Sequence, residues 1–214
     1  MPLFHFALPM NRRTEVITQF AVFATKPEFR NELLELVHDC RDNELVARKE
    51  LYECALQCYL FAGFPAALEA VRVLHRSWPI EQSPEVDEQR LRQELLQYDL
   101  YLERGEALYK KVYAANAGRV RQELLKLSPE LAGWAVTEGY GKTLSRPGLI
   151  MKTRELAIVG MLTQLGWERQ LYSHILGAKN VGASLLEIEV AIRIGALRDD
   201  KKEQIGLELL KRLA

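Results

Sequence analysis

The chain has 214 residues, 48% of them hydrophobic and 27% charged, which suits a globular protein with a real core. Its 29 basic and 29 acidic residues cancel, so no charge excess marks it for nucleic acid or an anionic membrane surface. No stretch reads as the ~20 unbroken apolar residues of a membrane span.

The first thirteen residues run apolar and then basic, the reverse of a secretory signal, which argues against export. Residues 12–24 are apolar enough for a buried helix, ended by Pro27. Residues 28–40 read as a second helix, with Phe29, Leu33, Leu36 and Val37 at helical spacing. A third spans 44–61 and is broken by Gly63-Phe64-Pro65. Pro65 then suits the first turn of a helix over 66–77.

Residues 79–87 are polar, hold two prolines and read as a linker. Residues 88–113 look like one long amphipathic helix with a weak point at Gly105. Ser128 caps a further helix, with Pro129 at its first position. Trp134 and Tyr140 read as core aromatics. Ser145-Arg146-Pro147-Gly148 is a loop. Residues 151–165 form a strongly apolar helix ended by Gly166, and 168–179 follow, closed by Asn180 and Gly182. Ser184 and Glu187 form a capping box for the next helix. The tail from Asp199 is a charged amphipathic helix, expected as a solvated face. Strand alternation is absent, so the expected class is all-α.

Three cysteines, Cys40, Cys54 and Cys58, are too few and too close for a disulfide framework, and a reducing cytoplasm is the expected setting. His5, His38 and His75 are scattered, and His174 has no second ligand at helical spacing, so no metal site is expected.

The chain also repeats itself in outline. Arg13-Thr14-Glu15-Val16 opens an apolar helix much as Arg154-Glu155-Leu156 does, and each is followed by a helix, a polar turn and a further helix. Glu53-Cys54-Ala55-Leu56 falls in the first copy where Glu189-Val190-Ala191-Ile192 falls in the second. This gives a first copy over 1–78, a linker over 79–87 and a second copy over 88–214, together one compact unit.

Glu155 lies 11 residues before the turn at Gly166, and His174 lies 8 after it. In a helix hairpin these places are about 16 Å and 12 Å from the turn, at ~1.5 Å per residue. The two side chains therefore reach similar heights on neighbouring antiparallel helices. Glu155 shares a face with Ile158, Val159 and Leu162, and His174 with Gln170, Leu171 and Ala178. A carboxylate on an apolar stripe is either paired or raised in pKa. Two readings follow. In one, His174 and Glu155 form an acid–base pair in a partly dry pocket. In the other, Glu155 complements a helix dipole and His174 is a satisfied core histidine.

Residues 139–182 decide between them. The Ser-Arg-Pro-Gly-Leu loop, Lys152-Thr153-Arg154-Glu155-Leu156, and Gln170-Leu171-Tyr172-Ser173-His174 with Gly177-Ala178 closely resemble the carboxymuconolactone decarboxylase family. Glu103-Arg104-Gly105 resembles that family's N-terminal helix. The family's closing Tyr-Ala-Gly-Phe-Pro-Ala-Ala is missing after Ile194-Gly195-Ala196, and the first copy carries it instead as Phe61-Ala62-Gly63-Phe64-Pro65-Ala66-Ala67. No histidine marks the first copy near Leu33 or Leu34.

The resemblance implies an alkylhydroperoxidase D-like helical bundle, internally duplicated as a pseudo-dimer with one composite pocket per chain. It implies a homo-oligomer, a trimer of two-copy chains equivalent to a hexamer. It further implies a cofactor-free lyase that decarboxylates a small carboxylated lactone or related acid. His174 would be the proton donor, Glu155 its partner, and Arg146, Gln170 and Phe64 the substrate contacts. Leu176 stands where the family's decarboxylases usually carry Arg, which removes a bidentate anchor. The same fold includes thiol peroxidases with Cys-x-x-Cys before the histidine, but Trp167 and Gln170 occupy those places here. A redox reading then rests on Cys54 and Cys58, set against their use as small core residues.

Overall fold

A computed structural model describes residues 10–80, 92–93 and 96–213 of the chain. The described residues are helical, with no strand among them. The N-terminal nine residues and most of the expected linker lie outside the described residues, as does the start of the helix expected from residue 88.

The chain divides into two compact units, Met1–Trp78 with Gly148–Ala214, and Pro79–Pro147. This division differs from the expected boundaries, which joined 88–147 to the C-terminal helices.

The first unit is built on two helices, α1 (Arg12–Phe23) and α7 (Met151–Leu165), packed along one another. Both are buried on every face over most of their length, Thr14–Phe23 in α1 and Thr153–Gln164 in α7. A helix apolar all round belongs in a core, and its neighbours must close over it. α2 (Arg30–Asp42) and α3 (Arg48–Ser77) pack beside α1, while α8 (Glu168–Asn180) and α9 (Leu185–Ala196) pack beside α7. α3 also meets α7, and α9 also meets α1. α10 (Asp200–Lys211) covers α9.

Local signals explain most boundaries. Asn11 accepts from the Thr14 N–H at the start of α1, and Pro27 ends the connection in a 3₁₀ turn over Pro27–Phe29. Gly166, at φ 77°, closes α7 in the left-handed conformation glycine favours. Ser184 and Glu187 form the expected capping box on α9, and Asp199 caps α10 through the Lys202 N–H.

Gly63 has φ 85° and ψ 167°, so α3 is two helical segments joined at a kink. Pro65 follows in the first turn of the second segment, as expected. α3 is the one described helix long and apolar enough to cross a membrane by length and composition alone. The non-helical angles at Gly63 divide that length into two segments.

Two close crossings set the spacing of the first unit. A Cβ on Gly195 of α9 would meet Gly160 O of α7 at 2.3 Å and Thr163 Cβ at 2.7 Å. Only glycine lets these backbones approach so nearly. At the crossing of α1 and α7, the hydroxyls of Thr14 and Thr153 lie 3.3 Å apart.

The second unit contains α4 (Tyr98–Tyr113), a short 3₁₀ turn, α5 (Ala117–Leu127), α6 (Pro129–Trp134) and a π-helical segment, Ala135–Leu144. α4 runs unbroken through Gly105, contrary to the weak point expected there. Gly105 instead lets the π segment close in: a Cβ would fall 2.1 Å from Val136 O. Ser128 caps α6 through the Leu131 N–H, as expected. Tyr140 is buried against Tyr109, with ring centroids 5.3 Å apart. Trp134 is exposed and so does not belong to the core as expected. It ends α6, where the sequence turns into the π segment.

Candidate functional site

α7 and α8 form the antiparallel hairpin expected around Gly166, and that hairpin positions two ionisable groups. Glu155 is the fifth residue of α7 and His174 the seventh of α8. His174 Nδ1 lies 2.9 Å from Glu155 Oε2. Glu155 has no exposed surface and His174 keeps 8% of its own. Among the described residues, Glu155 Oε1 has no hydrogen-bond partner. A buried carboxylate oxygen left unmatched costs ~1–3 kcal/mol or more.

The pair fixes the imidazole's chemistry. If the carboxylate is ionised, Nδ1 donates to it, and the neutral imidazole then keeps its free lone pair on Nε2. Nε2 has no partner of its own among the described residues. Phe61 of α3 meets the ring edge-on, with centroids 5.3 Å apart at 85°. An aromatic wall on one side and a carboxylate on the other hold the ring at a set angle.

A second polar cluster lies on the same stretch of α7. Arg154 is fully buried, and its Nη2 donates to Glu53 Oε2 at 3.2 Å while Nη1 donates to Gln57 Oε1 at 3.2 Å. Glu53 and Gln57 are one turn apart on α3, so that helix receives both of these bonds. This ion pair was missed in the sequence, where Arg154 counted only as part of a motif. The signal was there: a cation and an acid set among the buried positions of apolar helices each need a partner.

The remaining sequence-based site residues are placed differently. Phe64 is 67% exposed and stacks on Tyr59, with centroids 5.0 Å apart at 29°. The kink at Gly63 breaks the helical phase, so Phe64 does not continue the face that carries Phe61. Phe61, from the same motif, is the aromatic that reaches His174. Gln170 stands one turn before His174 in α8 but is exposed, with no hydrogen bond among the described residues. Arg146 belongs to the second unit, where its backbone N–H donates to Thr143 O at 3.3 Å.

Cys54 and Cys58 are fully buried, and Cys58 Sγ donates to Cys54 O. Burial, then the hydrogen bond with Cys58, pushes the Cys54 thiol well above its ordinary range. Burial likewise pushes Cys40 up to about 12. Thiols held protonated in a packed core are poor nucleophiles. Among the described residues no cluster of histidine, cysteine and carboxylate side chains has the makings of a metal site.

No protein-family model matches this chain. No curated protein matches it in sequence either.

Proposed function

We propose that this chain is an internally duplicated member of the carboxymuconolactone decarboxylase-like group and acts as a cofactor-free lyase on a small carboxylated acid. The observation that carries the reading is the 2.9 Å contact between His174 Nδ1 and Glu155 Oε2, with Nε2 left unpartnered. A carboxylate-bound imidazole with one free nitrogen is equipped to move a proton near neutral pH.

In the proposed reaction the bond from carbon to the leaving carboxylate breaks and carbon dioxide departs. The electron pair stays on the substrate as a delocalised carbanion. Protonated His174 delivers its Nε2 proton to a distal carbon, which shifts the double bond. Glu155 stabilises the imidazolium before transfer, and solvent restores the proton. Low exposure of both groups favours the step, because a carboxylate freed from water loses carbon dioxide more readily.

Paired contacts support the duplication. Arg13, second in α1, donates to Glu50 Oε1 at 2.7 Å, and Glu50 caps α3. Lys152, second in α7, donates to Glu187 Oε1 at 2.8 Å, and Glu187 caps α9. Thr14 and Thr153, next in each helix, meet each other. α2 and α8 each have 13 residues. These contacts favour pairing Arg13 with Lys152, a shift from the register in which Glu15 matches Glu155. In the new register the counterpart of Glu155 is the fully buried Val16, and matching α2 to α8 from their first residues pairs His174 with Leu36, also fully buried. One copy then carries the polar pair and the other an apolar one. We also propose self-association, with exposed Phe64 and Leu68, one turn apart on α3, in the contact.

The test is carbon dioxide release from a panel of γ-carboxylated unsaturated lactones and β,γ-unsaturated acids. The reading predicts turnover that falls ~10²–10⁴-fold in His174→Ala, with the helical circular dichroism unchanged. Turnover retained in His174→Ala, or none from any member of the panel, overturns it.

A further inference from the structure

One face of α3 carries Glu53, Gln57 and Phe61, each four residues from the next. At that spacing side chains stack along a single stripe. The stripe meets α7 and α8 in turn. Glu53 and Gln57 receive the Arg154 guanidinium, each at 3.2 Å, and Phe61 meets the His174 ring with centroids 5.3 Å apart. Arg154 and Glu155 are neighbours on α7, so the anchor of α3 lies one residue from the carboxylate that holds His174.

Gln57 is the member of the stripe that packing does not explain. It has no exposed surface. A guanidinium only donates, so Oε1 is the atom that faces Arg154 Nη1, and Nε2 is turned elsewhere. Among the described residues, Nε2 has no hydrogen-bond partner. An unmatched buried donor is costly, and an apolar side chain of similar size would avoid that cost. Glu53 already brings a carboxylate to the same guanidinium. Neutralising the charge therefore does not call for an amide at position 57. What the amide adds is a second point of attachment to Arg154, one turn nearer to Phe61.

Gly63 gives that attachment its importance. The non-helical angles there end the straight run of α3 two residues after Phe61. Phe61 thus stands in the last turn of the first segment, where helices fray. Gln57 lies one turn upstream, about 6 Å along the helix. A helix held at Gln57 has only that one turn left free before the ring that touches His174.

We propose that Gln57 is a positioning residue for His174. Bound to Arg154, it fixes the end of the first α3 segment on α7 and so holds the Phe61 ring against the imidazole. The consequence for turnover rests on the lyase reading of the Glu155–His174 pair. The ring contact does not, and it is measured without substrate.

The experiment is aromatic-region NMR of the ¹³C,¹⁵N-labelled chain, with the His174 ring assigned by His174→Gln. It reads the ring-current shift on the His174 carbon-bound protons, defined as the part that Phe61→Leu abolishes. In Gln57→Met, apolar and close in size, the proposal predicts loss of most of that shift. Gln57→Glu, which returns an oxygen acceptor to Arg154, retains it. Asp199→Ala, which weakens the same unit at the cap of α10, leaves it unchanged. If the lyase reading holds, kcat falls about tenfold or more in Gln57→Met while KM stays level. An unchanged shift in Gln57→Met overturns the proposal, as does an equal change in Asp199→Ala. So does a Gln57→Glu chain that behaves as Gln57→Met. The predicted shifts in a chain that turns over no substrate support the positioning role and sink the lyase reading alone.

Discussion

Arg154 Nη2 and Glu53 Oε2 meet at 3.2 Å in the interior of the first unit, 101 residues apart in sequence. The pair ties α7 to α3, and α3 is the helix that carries Phe61 to His174. Both side chains are buried, so their charges are strong only as a pair. Removing one partner strands the other. Arg154→Met and Glu53→Leu alone should each cost about 3–5 kcal/mol in urea unfolding, while the double variant recovers most of that loss. Additive losses in the double variant would show that the two charges do not depend on each other.

Gly195 and Gly160 let α9 and α7 touch through their backbones. Gly195→Ala places a methyl group 2.3 Å from Gly160 O, so the helices have to separate. A loss of about 1–3 kcal/mol is expected by thermal or urea unfolding. Gly118→Ala, where nothing lies within 4 Å, should leave stability level or slightly raised. Equal effects at the two sites would contradict the close crossing.

Glu187 supplies a pH dependence. Burial pushes its carboxyl up, but the hydrogen bonds from Lys152 and from Ser184 outweigh this, and the net pKa lies below the usual 4.5. A folded-state pKa below the unfolded one adds stability above about 4.5 and loses it as pH falls through the folded value. Glu187→Gln should therefore lower stability at pH 7 and flatten its fall below pH 4.5. Ser184→Ala, which removes the cap, should cost about 1 kcal/mol. An unchanged acid limb in Glu187→Gln would contradict this assignment.

Cys54 and Cys58 should behave as core residues. An aromatic disulfide reagent at neutral pH should label them only as fast as the chain opens, and at once in urea. Consumption of peroxide by the native chain that is lost in Cys54→Ser would instead favour a redox role.

The hairpin around Gly166 and the heights of Glu155 and His174 were legible in the sequence, because both follow from helix rise and a glycine stop. The caps at Asn11 and Asp199 and the Ser184–Glu187 box sit on local chemistry, and of these the sequence reading used the box. Other features depend on long-range contacts. Arg154 finds Glu53 across 101 residues, and no local pattern names that partner. Phe61 rather than Phe64 meets His174 because the phase change at Gly63 is a matter of backbone angles that spacing does not reveal. Gly105 read as a weak point because its partner, the π segment, lies some 30 residues further on.

The account turns on which imidazole nitrogen of His174 is free. Long-range ¹H–¹⁵N spectra of the imidazole report this directly. The predicted result above the imidazole's titration is a protonated Nδ1 and a bare Nε2, with that preference lost in Glu155→Gln. A neutral imidazole with its proton on Nε2, unchanged by Glu155→Gln, would mean that the carboxylate does not orient the ring, and the proposed proton transfer from Nε2 would lose the pairing it relies on.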